Sequence, residues 1–280
     1  HAEDEDRMNE RRKLVEGRTD IAAHAYYRDD ITALLATKLA VNLAHKTGHR
    51  LHILHLTSGI EADFLTDHCN LPSKTEGHPI ITTEVLPQHL TFDETDVDEQ
   101  GVRLQMNPPI RYKADREILW NRLVDGTIQC IATDHAPHTL EAKSKGFPHA
   151  PSGMPGVETS LAVMLNYVNQ GKCSIEDVVR WMSSNVADCY RMIGKGKLEV
   201  GYDGDIVLVD MNHSAVVEDE NSWTRVGWNP FRGRKLTGWP VLTVVEGIPV
   251  FERSAGTGQK GRLLVEPGAV GKPLLMEPWK

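Results

Sequence analysis

The segment Cys130-Ile-Ala-Thr-Asp-His-Ala-Pro-His138 carries the clearest chemistry in the chain. A short apolar run leads into Asp134, and two imidazoles follow at His135 and His138. If the run is a buried strand of a parallel barrel, Asp134 stands at its C-terminal mouth, where such barrels carry their active sites. A carboxylate there can hold a divalent metal and move a proton, the two tasks that metal-assisted amide hydrolysis asks of one group. A second strand end has the same form: Leu51-His-Ile-Leu-His55 runs into the polar turn Leu-Thr-Ser-Gly59. The C-terminal ends of different barrel strands converge, so His55 and Asp134 can meet at one ion despite their separation in sequence. His1 is a third candidate ligand. Imidazole and carboxylate together suit zinc, with iron or manganese as substitutes. Each residue also has an ordinary reading: a strand-end histidine held by hydrogen bonds, a terminal residue without fixed structure, an aspartate that caps a turn.

The elements that must position these groups are legible in outline. Strands are predicted over 51–55, 79–85 and 127–133, and helices over 6–50 in pieces, 61–68, 115–124, 157–170 and 174–182. The alternation of strand and helix predicts parallel strands with helices outside. Between Asp30 and His45 the residues Ile31, Leu34, Leu35, Leu39 and Leu43 recur at helical spacing and predict a buried face. Strand alternation puts Leu51, Ile53 and His55 on one side, and likewise Ile128, Cys130, Ala132 and Asp134. The stretch 91–101 reads as a polar, acidic connection. Asn107-Pro-Pro-Ile-Arg111 holds two consecutive prolines, which preclude a regular helix or central strand, and reads as a rigid loop. Residues 139–155 form a long loop of the kind that closes over active sites. After Gly194 short strands over 198–210, 242–251 and 262–266 alternate with Gly, Asp, Asn and Pro. The fold class is therefore α/β, with residues 1–195 as a barrel portion and 196–280 as a β-rich appendage.

Composition narrows the function classes. A chain of 280 residues with 40% hydrophobic and 25% charged residues is long enough to bury a substantial core. A net charge of −8 argues against a nucleic-acid-binding surface. No apolar run reaches the length of a membrane span, and no secretory signal is recognisable. Cys69, Cys130, Cys173 and Cys189 form no CxxC pair, as expected of reduced thiols in a cytoplasmic protein.

Six motifs, in order, resemble the dihydroorotases of the cyclic amidohydrolase superfamily. They are His1-Ala-Glu-Asp, His55-Leu-Thr-Ser, Glu84-Val-Leu-Pro-Gln-His-Leu90, Asn107-Pro-Pro-Ile-Arg111, Thr133-Asp-His-Ala-Pro-His138 and Gly153-Met-Pro-Gly-Val-Glu-Thr159. The resemblance runs to about Phe251, and Gly201-Tyr-Asp-Gly-Asp-Ile-Val-Leu-Val-Asp210 is similar to the return into that superfamily's small β domain. It implies the second half of a (β/α)8 metal-dependent hydrolase barrel plus a small flanking β domain. It also implies one or two Zn2+ ions, with His1 and His55 as ligands at the ends of the fifth and sixth strands and Asp134, ending the eighth, as ligand and catalytic acid/base. Asn107 and His138 would contact the ring and carboxylate of the substrate, and Ser152 and Gly153 would close on the ring. The implied reaction interconverts L-dihydroorotate and N-carbamoyl-L-aspartate in pyrimidine biosynthesis.

The sequence departs from the family pattern at its front. The His-x-His pair of the first strand, the arginine just after it and the bridging lysine or aspartate of the fourth strand have no counterpart. The expectation is a C-terminal portion that needs its own N-terminal segment to be active. Family habit implies a homodimer or an assembly with aspartate transcarbamoylase. Two other readings stay open: another cyclic amidohydrolase of the allantoinase or hydantoinase kind, and an inactive scaffold subunit for aspartate transcarbamoylase.

Overall fold

Asp4 opens the first helix of the computed structural model, in which residues 3–69, 79–253 and 260–277 are described. Its carboxylate accepts from the Arg7 N–H, with Glu5 and Asp6 in the first turn of α1 (Glu5–Arg12) and Arg11 and Arg12 in the last, charges that complement the helix dipole. Helix α2 (Ala22–Tyr27) leads into α3 (Asp30–Thr47), capped by Asp29 and closed by Gly48 at φ 71°. The leucine face expected to be buried on α3 is not. Thr32, Ala33, Thr37, Val41 and Ala44 face the interior, while Leu35, Leu39 and Leu43 are 42%, 61% and 51% exposed. The two stripes are offset by two residues, about 200° around the helix. The small side chains bring α3 close to its neighbours, and Thr37 donates a hydrogen bond to Glu61 on the next helix.

Three parallel strands follow in the spatial order β1 (Leu51–Ile53), β2 (Ile81–Val85) and β3 (Cys130–Ile131). Leu51 pairs with Ile81 and Ile53 with Thr83, and Glu84 pairs with Cys130. Helix α4 (Gly59–Leu65) follows β1, with Ser58 as its cap. Between β2 and β3 come α5 (Pro87–Thr91), α6 (Glu94–Gln100) and α7 (Lys113–Val124). Helix α6 replaces the expected polar connection, because Asp93 and Asp96 form a reciprocal capping box at its start. Ile53, Ile81, Val85, Leu86, Leu90 and Leu123 are buried around the strands. The strands are shorter than expected, so His55 and Asp134 lie two and three residues beyond the last paired position. The short helix α8 (Leu140–Lys143) interrupts the long loop.

The chain divides into two compact units, His1–Gly156 and Val157–Lys280, ahead of the boundary near 195 read from composition. In the second unit α9 (Ser160–Asn169) is followed by α10 (Ile175–Val179), a π-helical turn and α11 (Asn185–Tyr190). An antiparallel sheet runs in chain order through β4 (Ile206–Val216), β5 (Lys235–Val245), β6 (Ile248–Glu252) and β7 (Arg262–Leu263). Helix α9 groups with this sheet for a local reason. The Asn166 side chain accepts from the Thr237 N–H at 3.0 Å, and Asn169 donates to the Thr237 carbonyl at 2.9 Å. Gly238, at φ 99°, permits the contact, since a Cβ there would lie 2.7 Å from that of Leu165.

Candidate active site at the mouth of the parallel strands

His55 and Asp134 share an unusual backbone. Each has a positive φ, 36° and 41°, in the left-handed region that residues with a Cβ seldom occupy. The alternation that assigned both to strand faces therefore stops short of them, and a sharp turn aims each side chain. Such conformations persist where the surroundings enforce them, often at functional sites. At His55 the enforcement is visible. Its N–H donates to the Glu84 carboxylate at 3.3 Å, and the Leu56 N–H donates to the Glu84 carbonyl at 2.8 Å. The same carboxylate meets His52 Nε2 at 3.0 Å, and His52 Nδ1 lies 2.8 Å from Thr82 Oγ1. Glu84, at the end of β2, thus braces the turn that presents His55.

The His55 ring is buried, and burial pushes its pKa below the usual histidine range, opposed by the carboxylates of Asp134 and Glu84. A neutral imidazole keeps a lone pair for a metal. His55 and Asp134 are thereby near enough to act on each other electrostatically. His89 is buried, with Nε2 3.4 Å from the Pro108 carbonyl and its pKa pushed down to about 3 by burial and by His55. His1 lies outside the described residues. Among the described residues no group of three or more His, Cys, Asp or Glu side chains could by itself hold a metal. The donor types described, a buried imidazole and a carboxylate, fit a divalent ion such as zinc.

The expected substrate-contacting residues assemble in the same unit. His138 Nε2 lies 3.1 Å from the Ser152 carbonyl, joining the turn after Asp134 to the long loop. Gly153, at φ 133°, donates its N–H to the Gln105 carbonyl at 2.9 Å. The Gln105 side chain in turn donates to the Ala150 carbonyl at 2.7 Å and to Ser152 Oγ at 3.3 Å. Two residues on, Asn107 Oδ1 is buried and accepts no hydrogen bond of ordinary geometry among the described residues, although its amide acts on the nearby His24 ring. Arg111 is buried and braces the turn after His55, donating to Thr57 Oγ1 at 2.9 Å and to the Arg28 carbonyl at 2.5 Å. His138, Ser152 and Gly153 are thus linked with Gln105 in one hydrogen-bonded loop cluster.

Several members of this site were not singled out by sequence reasoning. Glu84 and Gln105 sit inside recognised motifs or beside them, but their bracing role depends on which turns face them. Lys143 is buried in the short helix of the long loop and carried no sequence signal beyond its place there. His135, next to Asp134, is exposed and its Nδ1 accepts from the Gly156 N–H at 3.1 Å.

The model of the Amidohydrolase family matches residues 3–250. The chain belongs to the amidohydrolase family. Among curated amidohydrolases, it is 34% identical over 264 residues to a dihydroorotase of Halobacterium salinarum, covering 94% of this chain and 58% of that protein. It is 37% identical over 218 residues to a dihydroorotase of Anoxybacillus flavithermus, covering 77% of this chain and 49% of that protein. Among solved amidohydrolase structures it is similar to an L-hydantoinase (dihydropyrimidinase) from Arthrobacter aurescens. That match has a TM-score of 0.85 at 30% identity and covers 95% of this chain and 58% of that one. A dihydropyrimidinase from Brevibacillus agri gives a TM-score of 0.82 at 27% identity, covering 95% and 60%. The chain spans about half to three-fifths of the length of these relatives. Among the described residues no helix is long and apolar enough to cross a membrane.

Proposed function

We propose that this chain carries the acid/base half of a dihydroorotase site that interconverts L-dihydroorotate and N-carbamoyl-L-aspartate. What supports the reading is that His55 and Asp134 each sit in a left-handed turn just past a parallel strand, with the Asp134 carboxylate acting electrostatically on the His55 ring. The dihydroorotase relatives and the loop cluster around Asn107, His138, Ser152 and Gly153 support the choice of substrate. His55 and Asp134, with His1, would hold zinc, which when bound supplies Lewis acidity toward the amide carbonyl and a more acidic water. In ring opening Asp134 takes a proton from the attacking water and hands it to the departing ring nitrogen; in closure it accepts the ureido proton. Asn107 would contact the substrate ring, and His138 the substrate carboxylate. The long loop, held against Gln105, excludes water from the ring.

The strands β1–β3 are read as the sixth to eighth of a (β/α)8 barrel, and the sheet of the second unit as its flanking β domain, with the compositional boundary near 195. The exposed Leu35, Leu39 and Leu43 on α3 suit a face that further barrel segments cover, which the greater length of the relatives would supply. A working site then needs residues beyond this sequence. The hydantoinase and dihydropyrimidinase structures favour a second reading, hydrolysis of a related cyclic amide. A panel of dihydroorotate, dihydrouracil, hydantoin and allantoin, assayed with the intact zinc-loaded enzyme, separates the two. Turnover of dihydroorotate well above the others is expected; preference for hydantoin or dihydrouracil overturns the dihydroorotase reading.

A further inference from the structure

Lys143 is 1% exposed, yet among the described residues no carboxylate pairs with it. Its ammonium instead meets three backbone carbonyls: Gln105 at 2.8 Å, Gly153 at 2.9 Å and Pro151 at 3.0 Å. An ammonium has three N–H donors, and here each has one acceptor. Burial pushes the Lys143 pKa down to about 7, and three carbonyl dipoles favour its ammonium form only while they converge. The acceptors come from the two segments that the proposed function assigns to substrate contact. Pro151 and Gly153 flank Ser152, whose own carbonyl turns the other way to His138. Gln105 lies two residues before Asn107 and takes the Gly153 N–H as well.

We propose that Lys143 is a positioning residue for substrate binding. Its tripod of hydrogen bonds sets the Ser152–Gly153 loop and the Gln105–Asn107 segment in register before substrate arrives. The inference rests on the substrate-contacting role given to those segments. Lys143 touches neither Asp134 nor His55, so its effect falls on binding and not on metal content or proton transfer. Methionine fills similar volume but gives no donors, so the three carbonyls would lose their common partner. Arginine keeps the charge, but its planar fork cannot serve three acceptors that converge on one point.

The test uses the intact zinc-loaded enzyme with Lys143→Met and Lys143→Arg. Both variants are expected to raise KM for dihydroorotate by about tenfold or more, with kcat within about threefold and zinc content unchanged. Hydrogen exchange at the Gly153 amide is expected to speed up by about thirtyfold, because its bond to Gln105 is released. Should Lys143→Met not fold, Lys143→Arg carries both measurements. A KM within about twofold of the parent in folded Lys143→Arg, or a fall in kcat alone, overturns the proposal. If the parent enzyme does not turn over dihydroorotate, the substrate reading fails, and Gly153 exchange alone decides the role of Lys143: unchanged exchange overturns it, faster exchange supports it.

Discussion

Gly153→Ala tests the loop geometry most directly. Gly153 has φ 133°, a region essentially closed to residues with a Cβ. A Cβ there would lie 2.5 Å from the Ala136 carbonyl oxygen, 3.0 Å from the Ala136 Cβ and 3.2 Å from His138 Cδ2. The first of these is backbone in the turn that follows Asp134, and it cannot swing aside as a flexible side chain would. Backbone strain of about 1–3 kcal/mol and overpacking of about 1–3 kcal/mol add to roughly 2–6 kcal/mol. The strain has two outlets. If the turn holds the loop, the strain falls on the folded state, and melting drops by about 5–15 °C. If the loop lets go, folding is spared, but the bonds from Gly153 to Gln105 and from Ser152 to His138 are lost, and KM rises roughly thirtyfold or more. Thermal melting followed by fluorescence and steady-state kinetics on the same preparation distinguish the outlets. A variant with melting within about 1 °C and KM within about twofold of the parent refutes the packing argument.

Asp134→Ala should abolish turnover and lower zinc content together, because ligand and proton carrier are one group; near-normal turnover in a fully assembled preparation contradicts that assignment. His138→Ala should raise KM and leave zinc content unchanged, since its ring reaches the Ser152 carbonyl and not the metal pair; loss of zinc would move His138 into the ligand set. Glu61 supplies a pH signature. Burial pushes its carboxyl up to about 7 from an ordinary 4.5, with the Thr37 hydroxyl and Arg111 opposing. The folded state therefore holds this proton more tightly, and the associated stability is full below about pH 4.5 and is lost as pH rises through 7. The shift of 7 − 4.5 = 2.5 units corresponds to about 3 kcal/mol. Glu61→Gln, compared with the parent by urea unfolding from pH 5 to 8, should flatten that slope; an unaltered slope removes Glu61 as its source.

Much of the site could be read in the sequence because its chemistry is local in the chain. An apolar run that ends in His55 or Asp134 and opens into a polar turn marks a strand mouth, and the Asn107-Pro-Pro segment admits no regular element. The errors have one cause in common, which is that periodicity records where apolar residues recur and not which stripe finds a partner. On α3 the leucines fit a buried face as well as the small residues do, and Thr37 bonding to Glu61 decided the matter. Helix α6 was passed over as a polar connection, since only Val97 is buried in it and its capping box, not its hydrophobicity, defines it. Helix α9 groups with the antiparallel sheet because Asn166 and Asn169 satisfy the backbone of Thr237, a pairing across about 70 residues that no local pattern encodes.

By itself the sequence supplied the inventory: candidate side chains for chemistry, a loop that two prolines keep irregular, and parallel strands alternating with helices. Those properties belong to residue types and to neighbours within a turn or two, where covalent geometry and hydrophobic spacing act directly. Only the tertiary structure decided the aim of His55 and Asp134, the bracing by Glu84 and Arg111, and the burial of Lys143 among three carbonyls. These depend on groups 8 to 83 residues apart arriving within hydrogen-bond distance. A left-handed turn or an unpaired buried ammonium is tolerated only when such distant partners close around it.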